Sequence, residues 1–247
     1  MQKNINNLYD GIGDEIVTKP AYNGGEYQAH CSAVIEKGAK IGKGTKIWHF
    51  SHIMKGAVIG CDCRLGQNIN IASRALLGNN VSLQFSISVG DDTTIEDDVF
   101  CAPHVCLTNV INPRAFINRK NEYQPTLSLR RGATLGINST VLCGNTVGKY
   151  AFIGAAAVVT KDVSNYALVL GVPGKVRGYI CKCGIKLEFG MTQMEERGNL
   201  YEVALCKECG DKYIKCGNIV NSLSQGEWHS LEGTFMENSH TRIGDEI

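Results

Sequence analysis

With 247 residues, 25 basic and 24 acidic, and a formal charge of +1, the chain can bury a sizeable core in one or two domains. It lacks the basic face expected of a general nucleic-acid binder. No run approaches the 18 apolar residues of a membrane span, and the opening MQKNINNLYDGIGDEIV has no apolar secretory stretch, so a cytoplasmic protein is expected. The 11 cysteines therefore read as reduced thiols and metal ligands, not as a disulfide framework.

In chain order, residues 1–30 are polar and are expected to form an N-terminal cap. From Ile35 an aliphatic residue or cysteine recurs every six positions, through Ile41, Ile47, Ile53 and on to Cys101 and Leu107, 13 sites in succession. At 43% apolar content, chance would give such a run with a frequency of roughly 10⁻⁵. The residue two before each site is mostly small or β-branched, as at Ala33, Thr45, Ser51 and Cys63. A helix cannot hold a period of six on one face. A flat strand is interrupted too often by glycine and asparagine. A short strand plus a turn, repeated, fits: a parallel β-helix of hexapeptides.

The register breaks after Leu107 and resumes at Leu135, Val141, Val147, Ile153 and Val159. An excursion, INPRAFINRKNEYQPTLSLRR (111–131), lies between; inserted loops of solenoids often form the binding face. Three hexads per turn give about six coils over residues 31–166, a prism roughly 29 Å tall. Residues 167–180 connect it to a cysteine-rich module, 181–220. There CKCG (181–184) and CKECG (206–210) place Cys181, Cys183, Cys206 and Cys209 in two close pairs. Paired thiolates on two short knuckles are how a structural, closed Zn²⁺ site is built, and the pattern resembles a zinc ribbon. Residues 221–247 are polar and are expected to be a loosely held tail.

Particular segments resemble a known family. IWHFSHIMKGAVIG (47–60), LTNVINPR (107–114), RRGATLG (130–136) and VLCGNTVGKYAFIGAAAVVTKDV (141–163) are similar to the left-handed β-helix hexapeptide acyltransferases, among them the nucleotide-sugar 3-N-acetyltransferases. The resemblance implies a homotrimer with acetyl-CoA in the groove between subunits. It implies acetylation of the 3-amino group of a nucleotide-linked sugar in surface-polysaccharide synthesis, with UDP-2-acetamido-3-amino-2,3-dideoxyglucuronate as the expected acceptor. The enzymes acting on dTDP-3-amino-3,6-dideoxyhexoses tend to carry aspartate where this chain has Val110, and they stand as the alternative.

By the same resemblance Asn109 matches an active-site asparagine that holds the amine, although asparagine also suits a turn. Substrate contacts are expected from His49, His52, Gln84 and Ser86. Arg114, Arg119 and Lys120 suit a carboxylate or diphosphate. Gly136, Gly154 and Ala155 would let the pantetheine arm approach the backbone, and Lys161 and Lys175 would meet coenzyme phosphates. In a three-hexad coil, residues 18 apart stack, so His104 lies in line with Ser86 and Asn68. The family has Asn-Asn where this chain has Phe85-Ser86, and serine at 104. A smaller Ser86 would make room for His104, as a catalytic base, a sugar contact or a compensated turn exchange. A γ-type carbonic anhydrase is disfavoured, because its H-x₄-H motif is missing. A non-enzymatic scaffold is the third class, since fold alone does not choose.

Overall fold

The computed structural model describes residues 15–117, 128–190, 193–196 and 199–224. All regular elements among them are strands. Two-residue strands stack in parallel into three faces. Face 1 begins with Glu26–His30, Lys46–Ile47 and Arg64–Leu65 and ends with Phe152–Ile153 and Ala167–Leu170. Face 2 holds Val34–Ile35, His52–Ile53, Asn70–Ile71 and Ser88–Val89, then a second ladder of Cys106–Leu107, Thr140–Val141 and Val158–Val159. Face 3 runs from Lys40–Ile41 to Thr146–Val147. The result is the parallel β-helix expected from the six-residue period, left-handed as the resemblance implies, with about seven coils.

The physical basis of the repeat is visible in each hexad. The second strand residue points inward, and Ile53, Ile59, Leu65 and Ile71 are fully buried. The small residue two before it closes the corner. Ser51 Oγ donates to Gly66 O (2.9 Å) and accepts from Ile69 N (3.1 Å), and Thr45 does the same between Gly60 O and Cys63 N. Corner backbone groups that would otherwise be orphaned are thereby satisfied. The corner itself needs a left-handed residue. Among the described residues, twelve that are not glycine sit at φ between +54° and +62°. Asn and Asp suit this conformation, whereas Phe50, Tyr150 and Tyr166 adopt it at a cost of about 1 kcal/mol each.

Three boundaries differ from the sequence expectation. Ala29, 1% exposed, is already a core site: Gln28–Ala29 pairs in parallel with Lys46–Ile47, so the prism starts before residue 31. The cap on this strand is Ile16–Pro20, antiparallel to Glu26–His30. The stack also resumes earlier than Leu135. Ser128–Leu129 pairs with Thr94–Ile95, so the excursion ends before residue 128. Arg130 and Arg131 belong to a prism corner, where they bond Glu96 and Asp97. These two added hexads raise the expected six coils to about seven. Partners one coil apart are 18 residues apart, as in Lys46↔Arg64. Across the excursion Phe100↔Thr134 are 34 apart, and the lateral register is unchanged.

At the other end, Ala167–Leu170 closes face 1, and Lys175–Ile180 and Lys186–Leu187 extend it antiparallel. A four-stranded antiparallel sheet comes next: Gln193–Glu196, Asn199–Leu205, Lys212–Cys216 and Ile219–Leu223. It runs past the expected boundary at 220. The rest of the expected tail, from 225, lies outside the described residues.

Candidate active site

The edge between faces 1 and 2 collects three of the seven expected substrate residues, His49, Gln84 and Ser86. His49 stacks on His30, with ring centroids 3.6 Å apart, and Trp48 lies nearly parallel beside it. Trp48, Arg64, Gln67, Gln84 and Phe85 line a hollow of about 400 Å³ floored by Gly66 and Leu83. Gly66 faces the Gln84 carbonyl so closely that no Cβ fits. The column of 68, 86 and 104 is stacked as expected, each residue at positive φ. Its contacts are different. Asn68 Nδ2 donates to Ser86 Oγ at 3.3 Å, while His104 packs edge-on against Phe85 at 5.6 Å and 89°. The exchange that accommodates His104 is thus with Phe85 as much as with Ser86.

Asn109 stands elsewhere. It is exposed at the edge between faces 2 and 3, where the excursion leaves the coil. The strand Cys106–Leu107 separates it from His104. One face width, roughly 15 Å, keeps the two from acting on one atom within a single chain. The corner below is fixed by Thr108 Oγ1, which accepts from Cys143 N at 2.9 Å. Arg114 is exposed and donates to its neighbour's carbonyl, Pro113 O, at 2.9 Å. Arg119 and Lys120 lie outside the described residues. His52 is on face 2, with Nε2 2.8 Å from Glu36 Oε1. The Lys55 N–H and then His52 hold the Glu36 carboxyl below its usual range.

The expected coenzyme residues also fall on two edges. Gly136, Gly154 and the exposed Ala155 follow the same edge as His104. A Cβ on Gly136 would lie 2.6 Å from Ala155 N, and one on Gly154 would strike Leu170. Coil stacking therefore requires glycine at Gly136, where the obstruction is backbone, whereas at Gly154 only the end of the Leu170 side chain stands in the way. Lys161 and Lys175 come together across the end of face 2. They share a hollow of about 730 Å³ with Thr160, Ser164, Pro173, Gly174 and Asn218. Neither is ion-paired to any of the described residues.

The four module thiols converge. Their sulfurs all lie within 4.8 Å of one another, with Cys181–Cys209 at 3.4 Å and Cys183–Cys206 at 3.6 Å. Tetrahedral zinc–thiolate bonds of about 2.3 Å set sulfurs roughly 3.8 Å apart, so the donor set fits that ion. Gly184 and Gly210, both at positive φ, turn the two knuckles. Around the thiols, Tyr213 OH lies 3.1 Å from Cys181 Sγ and accepts from Lys182 N. Burial opposes ionisation of Cys206, but the N–H groups of Cys209 and Glu208 and the neighbouring thiols bring it down to about 7. Two of the coil cysteines differ: burial pushes Cys101 up to about 12 and Cys63 up to about 11. They are inert core atoms.

A prism of stacked hexads with an excursion at one edge is the architecture of the left-handed β-helix acyltransferases. The UDP-N-acetylglucosamine acyltransferase LpxA from Bacteroides fragilis 9343 superposes with a TM-score of 0.52 at 20% identity, over 62% of this chain and 61% of its own. The dTDP-3-amino-3,6-dideoxy-alpha-D-galactopyranose 3-N-acetyltransferase of Aneurinibacillus thermoaerophilus is 37% identical over 194 residues, 78% of this chain and 94% of its own. The galactoside O-acetyltransferase of Escherichia coli (strain K12) is 34% identical over 115 residues, 45% of this chain and 54% of its own. No family model matches. The chain belongs to the hexapeptide-repeat sugar N-acetyltransferases. It is an acyltransferase.

Proposed function

We propose that the protein transfers acetyl from acetyl-CoA to the 3-amino group of a nucleotide-linked amino sugar. The observation that carries this is the relative at 37% identity, matched along 94% of its length and named for 3-N-acetyl transfer to a dTDP sugar. That name favours a dTDP-3-amino-3,6-dideoxyhexose as acceptor. The uronate, UDP-2-acetamido-3-amino-2,3-dideoxyglucuronate, is the second reading. It is supported by Val110 in place of aspartate and by the exposed cation Arg114 at the excursion.

In the reaction the amine nitrogen bonds to the thioester carbonyl carbon, the C–S bond breaks, and the amine proton passes to the departing thiolate. A neutral sugar amine needs alignment more than a strong base. The side-chain oxygen of Asn109 accepts an N–H of the amine and aims its lone pair. His104 and Asn109 stand on different edges of one chain. A trimer of prisms packed edge to edge brings the His104 edge of one copy to the Asn109 edge of the next. His104, Gln84 and Ser86 then contact the sugar or its nucleotide. His49, stacked on His30, shapes that edge. His52, paired to Glu36, is assigned to the face and not to the chemistry. The cytoplasm, where acetyl-CoA is supplied, is the compartment this reaction calls for. Zinc in the thiol cluster would have no open ligand position, so its work is structural.

The test is CoA release with each acceptor. Asn109→Ala should lower turnover about 100-fold without changing coenzyme affinity. His104→Ser should alter the acceptor KM more than kcat. An Asn109→Ala enzyme with wild-type turnover would remove Asn109 from the reaction.

A further inference from the structure

The cysteine module touches the prism where the two lysines meet. Its tip, the turn from Cys216 to Ile219 with Gly217 at φ +55°, puts Asn218 into the lysine-lined hollow. The next residues, Ile219 and Val220, line a neighbouring hollow of about 440 Å³ with Arg130 and Lys149. The tip is thus a wedge between two cationic recesses. It is tied to the thiol cluster by a short chain of contacts. Cys181 Sγ lies 3.1 Å from Tyr213 OH. Tyr213, fully buried, packs edge-on against Tyr166 at 5.2 Å. Tyr166 stacks on Tyr150 of the coil below at 5.4 Å, and its hydroxyl lies 3.3 Å from Ser222 Oγ. The strand that starts at the tip therefore hangs on Tyr166, which packs against Tyr213, the tyrosine at the metal-binding knuckle.

We infer that the module is a metal-locked wall of the coenzyme's phosphate pocket: Zn²⁺ in the thiol cluster holds Asn218 over Lys161 and Lys175 and so raises affinity for coenzyme A from a distance. This rests on the acetyl-CoA reading above. The recess suits a nucleoside polyphosphate in size. Two lysines offer charge, and Thr160, Ser164 and Asn218 offer neutral polar contacts. Asp162 also lines it, but its Oδ1 accepts the Thr146 N–H at 2.7 Å. Small thiolate sites commonly fold only with their metal, which gives the wall two states for zinc to choose between.

Calorimetric titration of the full chain with coenzyme A and with adenosine 3′,5′-bisphosphate tests this. The protein as purified should hold about one zinc per chain. Asn218→Asp, which sets a carboxylate beside the phosphates, should weaken both ligands about tenfold and leave the acceptor KM unchanged. Stripping the metal should weaken both similarly, and added Zn²⁺ should restore them. Wild-type affinity in Asn218→Asp, or a purified chain without zinc, overturns the inference. Lys161→Glu and Lys175→Glu separate the two levels. If they too bind coenzyme A normally, the coenzyme is not here and the underlying placement fails. If they weaken binding while Asn218→Asp and metal removal do not, only the role of the module fails.

Discussion

The prism and the module solve the same problem by opposite means. All but the end strands of the prism are two residues long, and the second residue of nearly every one is an inward aliphatic side chain, so one continuous core is shared by all coils. Stability there is a sum of neighbour terms, with no single indispensable contact. The module has longer antiparallel strands, but its described interior is only Cys181, Leu187, Val203, Ala204, Cys206, Tyr213 and Val220, and most of these join the end of the prism core instead of forming one of their own. A core of that size is too small to stand alone and calls for a cross-link. Damage should therefore be local and total in the module, and distributed in the prism.

The largest effect expected is on metal removal. Chelation should open 181–224 to protease while the β-helix circular dichroism and its melting persist; loss of both together would break the contrast. Next comes Leu135→Ala, in the prism interior at 0% exposure, expected to cost about 2–5 kcal/mol and read as a lower melting temperature. Gly66→Ala should cost about 1–3 kcal/mol, because its Cβ would overlap Gln84 O of the next coil. Gly144→Ala should cost less, since no atom lies within 4 Å of its added Cβ and only the φ of +80° resists. The smallest effect is at Arg74. Its guanidinium bonds Asp92 at 2.8 Å and, as the first cause, holds the Asp92 carboxyl below its usual range. A depressed carboxyl stabilises above its ordinary range and loses that contribution as pH falls through the folded value. Both groups are exposed, so Arg74→Ala should leave the melting temperature unchanged at pH 7 and at pH 3.

Legibility in the sequence divides along the same line. The six-residue stripe exposed the faces, the coils and the stacking of 68, 86 and 104, because a repeat writes its geometry into spacing. It lost the hexads at Ala29 and Leu129. Alanine is a weak marker of a core site, and Leu129 stands among the charges of LSLRR. Spacing aligned 86 with 104, while the ring contact is made by Phe85. The thiol set was legible from two short cysteine pairs. The docking of Tyr213 on Tyr166 was not, because contacts between residues 47 apart in a non-repeating sheet leave no period. Asn109 was singled out through resemblance alone, and its distance from His104 emerges only when the chain is wound.

The unchanged register across the excursion has a consequence for how such enzymes diversify. Both ends of the segment return to one corner, so its length is invisible to the coils on either side. Doubling it would add only about 0.6 kcal/mol of closure entropy, less than the loss of one buried methylene. The prism thus carries an interchangeable cassette: its length and sequence can drift while the scaffold that bears it inherits no change at all.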